Sequence, residues 1–302
     1  MGAYLKILLG ASLWGMIAIF VIALGELGFT EMEIVTLRVG WAALFLFMIG
    51  IMKYRHILPI KKRKDVGYFI GTGIISIVFF NWCYFTAINE MNISVAVILL
   101  YTSPVFVTIL SFLFLKEGLN TKKIIAVAGT IIGCIFIAGM GSGAIETITP
   151  IGILIGLGSG LFYALYSIFS KFALRTYQPF VVTFYTFLFA TVFLLPVTQL
   201  WNKLDLLLTS KALFYSAGLG LIPTVFGFLL YTSGLKTVDS SKAAIIATVE
   251  PFVATLLGVF IYFEKLSPIQ LFGSILIICS VIIVQLPNRK KIANHTNHFS
   301  MK

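Results

Sequence analysis

The sequence predicts an all-α polytopic membrane protein of ten transmembrane helices, built as two inverted five-helix repeats. Three observations carry that expectation. Of 302 residues, 59% are hydrophobic and only 11% charged, with a mean hydropathy of +1.03, which exceeds what a soluble core of this size requires. The apolar runs are helix-length, close to the roughly 20 residues that cross a bilayer, and not the ten-residue alternating strands of a barrel. The two halves of the chain also match at one constant offset.

The spans follow wherever charge, proline or polar clusters interrupt the apolar runs. The first, 4–24, stops before Glu26, and the second, 34–52, lies between Glu33 and Lys53. The third, 66–88, starts after the basic KKRKD run and stops before Glu90. The fourth, 94–115, ends at Lys116 and Glu117, and the fifth, 123–140, ends at a Gly-Ser-Gly stretch. The sixth, 150–171, runs from Pro150 to Lys171, and the seventh, 179–200, from Pro179 to the polar loop holding Lys203. The eighth, 212–235, is bracketed by Lys211 and Lys236. The ninth, 241–263, precedes Glu264, and the tenth, 268–286, lies between Pro268 and Pro287. The first run lacks an obvious small-residue cleavage site, so it reads as a retained helix. MGAYLK fails the myristoylation pattern because Lys6 stands where Ser or Thr is needed.

The formal charge of +11 is placed for a membrane, not for nucleic acid. One side collects Lys6, the six basic residues of KYRHILPIKKRKD, the lysines from Lys116 to Lys123, Lys171 with Arg175, Lys236 with Lys242, and the tail. The other side holds only Lys203, Lys211 and Lys265. Positive charge gathers on the cytoplasmic side, which puts both termini there and the basic surplus against anionic headgroups of a bacterial cytoplasmic membrane. Cys83, Cys134 and Cys279 lie in apolar spans without paired spacing and read as small core residues. His56, His295 and His298 fall in cytoplasmic segments with too few ligands for a metal. The tail reads as disordered. No metal and no cofactor is expected.

Pro104 and Pro251, and Glu117 and Glu264, are each 147 residues apart, and the same offset pairs Gly71 with Gly218, Gly73 with Gly220, Tyr84 with Tyr231 and Ser94 with Ser241. Each half holds an odd number of spans, so the second copy enters the membrane the other way round. Such repeats produce a pseudo-twofold axis in the membrane plane, a site near mid-bilayer between the halves, and alternating access by rocking. The expected units are 1–141, 142–288 and a tail, 289–302.

The ends of the fourth and ninth spans, SPVFVTILSFLFLKE (Ser103 to Glu117) and EPFVATLLGVFIYFE (Glu250 to Glu264), resemble the EamA domains of the drug/metabolite transporter superfamily. Arg38 in TLRVGWAALFLF is also similar to the family pattern. Ser103 stands where some members carry an acid before the first proline, leaving Glu250 as the single carboxylate of the pair. The resemblance implies a secondary transporter of amino acids, other metabolites or drugs.

Glu250 is the residue that most needs a reason, because a carboxylate within hydrocarbon is costly. Pro251 should kink the ninth helix and free the carbonyl of Ala247, and Ala243, Ala247, Ala254 and Gly258 turn that face toward other helices. Glu250 reads either as a proton-coupling or substrate-amine site, or as a neutral acid bonded between helices. Its cost favours the first reading. Arg38, about a turn and a half inside its span, reads as a snorkelling residue that reaches toward Glu31, Glu33 or headgroups. Glu117 reads as a solvated or interhelical anchor, and the glycine rows 152/156/160 and 129/133 as close-packing positions. The expected substrate-binding residues are Trp14, Asn81, Tyr84, Tyr101, Ser103, Tyr163, Tyr166, Ser167 and Tyr231, since rings with hydroxyls and amides suit a small amphipathic solute.

No P-loop stretch supports ATP hydrolysis. An intramembrane enzyme would need acid pairs, HExxH or a Ser/His dyad, none of which is found. A sugar-phosphate or nucleotide-sugar exchanger would need cavity Arg or Lys, and the midspan regions read as having none. The expected partners are therefore lipid, a small neutral, zwitterionic or cationic solute such as an amino acid or amine, and protons as a coupling ion, with export as the direction.

Overall fold

The structure, a computed structural model, describes residues 2–91, 93–138, 149–263 and 267–286. Expectations for Glu264, Lys265, the boundary at 141/142 and the tail with His295 and His298 lie outside those residues. Among the described residues ten long helical segments follow one another: α1 (Gly2–Glu26), α2 (Glu31–Lys53), α3 (Arg63–Glu90), α4 (Ile93–Leu115), α5 (Thr121–Ile137), α6 (Pro150–Ala173), α7 (Pro179–Thr198), α8 (Ser210–Leu235), α9 (Ser240–Ile261) and α10 (Pro268–Gln285). Among the described residues no strand occurs. Nine of the segments are long and apolar enough to cross a membrane. The remaining one, α5, has 17 residues, about 26 Å at 1.5 Å per residue, and packs along α10.

The helices start where the polar punctuation predicts. Thr30 and Glu33 form a capping box on α2, with the Thr30 amide donating to Glu33 Oε2 at 2.7 Å. Proline occupies the first turn of α6, α7 and α10, where its missing N–H costs nothing. Thr149 and Ser267 accept from the first-turn amides of α6 and α10.

The packing is symmetric under exchange of the two halves. α1 packs on α8 and its repeat counterpart α6 packs on α3; α2 meets α7, α4 meets α9, and α5 meets α10. The departures from regular helix also come in pairs, at or within two residues of the 147-residue offset. α3 widens into a π-helix over Gly71–Val78 and α8 over Gly220–Phe226. The regular helix of α4 breaks between Leu100 and Ser103, and that of α9 between Ala247 and Val249. Each break lies just before a proline that cannot donate to the preceding turn. Helix ends at Lys116 (φ 57°) and Phe263 (φ 55°) share the left-handed conformation. The pair formed by α1 and α6 departs from this symmetry: α1 is interrupted between Trp14 and Ile17, while α6 is continuous from Pro150 to Ala173.

Glycine sets the closest approaches. A Cβ on Gly133 of α5 would stand 2.8 Å from the Gly273 carbonyl oxygen of α10, and one on Gly273 would stand 2.7 Å from the Gly133 oxygen. Gly133→Leu is therefore expected to separate the helices and cost on the order of 1–3 kcal/mol, read as a lowered thermal midpoint of the purified protein. An unchanged midpoint would show that the seam can yield.

Two expectations change here. Cys279 is exposed, whereas Cys83 and Cys134 are buried, because its position falls on the outward face of α10. Arg38 does not snorkel. Its side chain is buried, Nε donates to Thr224 Oγ1 of α8 at 2.9 Å, and the guanidinium lies 5.7 Å from the centre of the Phe228 ring. The place it was expected to fill beside Glu33 belongs to Lys203, whose Nζ is 2.7 Å from Glu33 Oε2 and 3.0 Å from the Gly28 oxygen.

Candidate functional site

One internal cavity collects side chains from both halves. α1 contributes Trp14 and Ile17, α2 contributes Arg38, and α3 contributes Ser76, Ile77 and Phe80. From the second half come Tyr163, Tyr166 and Ser167 of α6, Phe228 and Tyr231 of α8, and Glu250 of α9. Backbone irregularity adjoins five of them. Trp14 precedes the interruption in α1, Ser76 and Ile77 lie on the α3 π-turns, Phe228 follows those of α8, and Glu250 follows the α9 break. Non-helical backbone at membrane depth is tolerated where it borders a cavity or is buried in protein. Gly15 lets α9 come close, since a Cβ there would lie 2.9 Å from the Glu250 carbonyl oxygen.

The walls are aromatic. The Trp14 ring centre is 4.8 Å from that of Phe228 and 4.9 Å from that of Tyr231, and Tyr166 stands edge-on to Phe228 at 5.1 Å. Phe80 meets Tyr163 edge-on at 5.2 Å. Polar atoms are held at the rings' outer ends: Tyr166 Oη and Thr232 Oγ1 are 2.7 Å apart, as are Tyr231 Oη and Ser167 Oγ.

The charges face the same space without pairing directly. Tyr163 Oη donates to Glu250 Oε2 at 3.2 Å, and Arg38 is engaged by Thr224. Among the described residues no ion pair joins Arg38 to Glu250. Thr224 Oγ1 also donates to the Leu219 carbonyl, five residues back on the π-turn, so the bulge that shapes α8 also supplies the acceptor that orients Arg38. Among the described residues two buried donors, Trp14 Nε1 and Ser76 Oγ, have no hydrogen-bond partner. Buried donors of that kind are normally satisfied; both belong to residues of the cavity wall, and the Trp14 indole nitrogen is turned to α8, where a Cβ on Gly227 would stand 2.8 Å from it. The space open to water centres is about 40 Å³, room for a few waters.

Of the residues the sequence singled out, Trp14, Tyr163, Tyr166, Ser167, Tyr231 and Glu250 meet in this cavity. Asn81, Tyr84, Tyr101 and Ser103 lie outside its wall. The Asn81 amide donates along its own helix to the Ile77 oxygen at 2.7 Å. Tyr84 packs against Phe80 and Phe85. Tyr101 sits at the α4 break, packed on the core, and Ser103 is buried where α4 resumes. The wall also holds Arg38, which sequence reasoning had sent toward the surface, and Ile17, Ser76, Ile77, Phe80 and Phe228, which it did not single out. The expectation of a cavity without a basic residue is corrected by Arg38. The available signals were an arginine well inside a span and Ser76 with Phe80 one helical turn apart.

At the basic end of the bundle, Glu117 anchors one half to the other. It accepts from the backbone amides of Ser240 and Ser241 and, at 2.6 Å, from Ser241 Oγ, capping the start of α9. Lys123 Nζ lies 3.7 Å from Glu117 and 3.3 Å from Asp239.

Known proteins share this architecture. A sequence model described as the EamA-like transporter family matches residues 1–139 and 150–286. An uncharacterized transporter of Archaeoglobus fulgidus is 30% identical over 286 residues, covering 92% of this chain and 94% of its own. The uncharacterized transporter YwfM of Bacillus subtilis is 31% identical over 220 residues, covering 72% and 73%. The uncharacterized inner membrane transporter YicL of Salmonella typhimurium is 24% identical, covering 95% and 96%. A solved crystal structure superposes with a TM-score of 0.77 at 19% identity, covering 94% of this chain and 96% of that one, which bears on the fold alone. A helical chain with spans of membrane-crossing length, two matched halves and an aromatic-walled cavity lined from both is a multi-pass transporter, and it belongs to the EamA-like transporter family.

Proposed function

We propose that the protein is a secondary active exporter of a small metabolite carrying an amine, an amino acid before a simple amine, working by alternating access with protons as the coupling ion. The observation that carries this reading is the pair of opposite, directly unpaired charges on one aromatic-walled cavity, Arg38 and Glu250. A zwitterion complements both: its carboxylate takes Arg38, and its ammonium takes Glu250. The rings accommodate an apolar side chain and attract the cation. A proton and the substrate ammonium then compete for one carboxylate, which is the minimum needed for exchange coupling. The substrate-binding group is Trp14, Tyr163, Tyr166, Ser167 and Tyr231 with Arg38, and Asn81, Tyr84, Tyr101 and Ser103 act one layer behind it.

The two moving units are 1–141 and 142–288, rocking about the pseudo-twofold axis. The basic face is cytoplasmic, with both termini on that side, as the lysine and arginine asymmetry supports. Export as the direction is taken from the family resemblance. No enzymatic step is proposed.

Arg38 also lends support to a phosphate-bearing solute, the sugar-phosphate or nucleotide-sugar alternative. A phosphate would meet one cation opposed by Glu250 in the same cavity, and the zwitterion fits that balance better. Counterflow into proteoliposomes decides between them. Amino acids are expected to exchange while sugar phosphates and nucleotide sugars do not. Exchange of phosphates alone would transfer the function to the alternative, and no exchange across amino acids, amines and phosphates by folded protein would count against transport of this class.

A further inference from the structure

We propose that a recess at the basic end of the bundle is a binding site for a phosphate-bearing anion, supplied by the headgroup of an anionic phospholipid. The recess measures about 480 Å³ and lies apart from the central cavity, between the ends of α4, α6 and α8. Four cations line it, Lys116, Lys171, Arg175 and Lys236, together with the carboxylates of Glu117 and Asp239.

Charge accounting makes the recess cationic. Glu117 is consumed by the α9 amides, Ser241 Oγ and Lys123, and Asp239 by Lys123, whose own side chain is buried. Among the described residues none of the four lining cations has a carboxylate within 4 Å. Lys171 Nζ donates to the carbonyls of Leu235 at 2.7 Å and Val238 at 2.6 Å, which fixes the ammonium in place and leaves its third N–H. The Arg175 guanidinium is set over the Phe172 ring at 4.8 Å. A fixed ammonium beside an oriented guanidinium, with two further lysines on the rim, suits the oxygens of a phosphate: Arg offers a two-pronged donor and Lys a point charge.

Two features point to lipid as the source. The 147-residue counterparts of Lys116, Lys171, Arg175 and Lys236 are Phe263, Leu24, Gly28 and Asn89, so these charges belong to one face and are no part of the duplicated scaffold. Directly before Lys116, the side chains of Phe112, Leu113 and Phe114 are exposed on the outer surface of α4, an apolar strip beside which acyl chains would lie while the headgroup reaches the recess. Basic recesses between helices at the membrane surface are suited to such headgroups.

The test compares the full-length protein with a Lys116→Gln/Arg175→Gln/Lys236→Gln variant. All three side chains are exposed and remote from the central cavity. Lipid retention and thermal midpoint are measured in detergent with added phosphatidylglycerol, phosphatidylcholine or inorganic phosphate. Wild type is expected to hold phosphatidylglycerol about tenfold more tightly than phosphatidylcholine, with the preference weakening as salt rises and disappearing in the variant. Stabilisation by inorganic phosphate that is lost in the variant and displaces phosphatidylglycerol would support the site but assign the anion to solution. If the triple variant does not fold, Lys236→Gln alone should reduce the preference severalfold. A wild type indifferent to phosphatidylglycerol and phosphate, or a folded variant that keeps the full preference, would overturn the proposal. The result is independent of which solute the central cavity carries.

Discussion

Glu250→Gln is expected to abolish the response of flux to a pH gradient, with gradient-driven transport reduced roughly 10- to 100-fold, the usual worth of a hydrogen bond to a charged group. The amide keeps an oxygen to accept from Tyr163 Oη, the contact Glu250 makes at 3.2 Å, so the local packing survives. What is lost is the site that either a proton or an ammonium can occupy. Exchange of substrate for substrate, which needs no net proton movement, should fall less than gradient-driven export. The measurement is flux into proteoliposomes with and without an imposed gradient, normalised to folded protein. A variant whose flux still responds to the gradient as wild type does would remove Glu250 from coupling and leave it as an interhelical acid.

Arg38→Met should separate recognition from folding in the opposite way. Methionine keeps much of the apolar stem against Phe228 but removes the guanidinium, and Thr224 still donates to the Leu219 carbonyl. A buried cation with no described carboxylate within 4 Å contributes little to stability after its desolvation cost, so the thermal midpoint should hold or rise. Affinity for a carboxylate-bearing solute should drop roughly 10- to 100-fold, the cost of losing a charge-assisted contact, while a simple amine should lose little. The readouts are ligand-induced thermal shift and counterflow for an amino acid and its decarboxylated amine. A lowered midpoint with unchanged affinity for the amino acid would make Arg38 a structural residue.

The candidate site was only partly legible in the sequence because periodicity and cost report depth and burial, not direction. Glu250 was conspicuous since a carboxylate in an apolar span is expensive. Arg38 was equally expensive but had a local explanation, the acidic residues near the start of its helix. The tertiary structure gives Glu33 to Lys203, a residue from a loop 170 positions away, and so leaves Arg38 to the cavity. Tyr84 and Tyr231 are repeat counterparts of identical type, yet one packs among Phe80 and Phe85 and the other lines the cavity. No composition argument distinguishes them, because the broken α1 and the continuous α6 make the two sides of the axis unequal.

By itself the sequence determined that this chain is helical, enters the membrane many times, and carries one design twice: apolar length, charge placement and a 147-residue echo are local or additive quantities that need no coordinates. Only the tertiary structure decided which polar side chains share a space. That depends on π-turns, on breaks before prolines and on close glycine seams, which rotate a helix face by a fraction of a turn and thereby choose between a side chain in the cavity wall and one behind it.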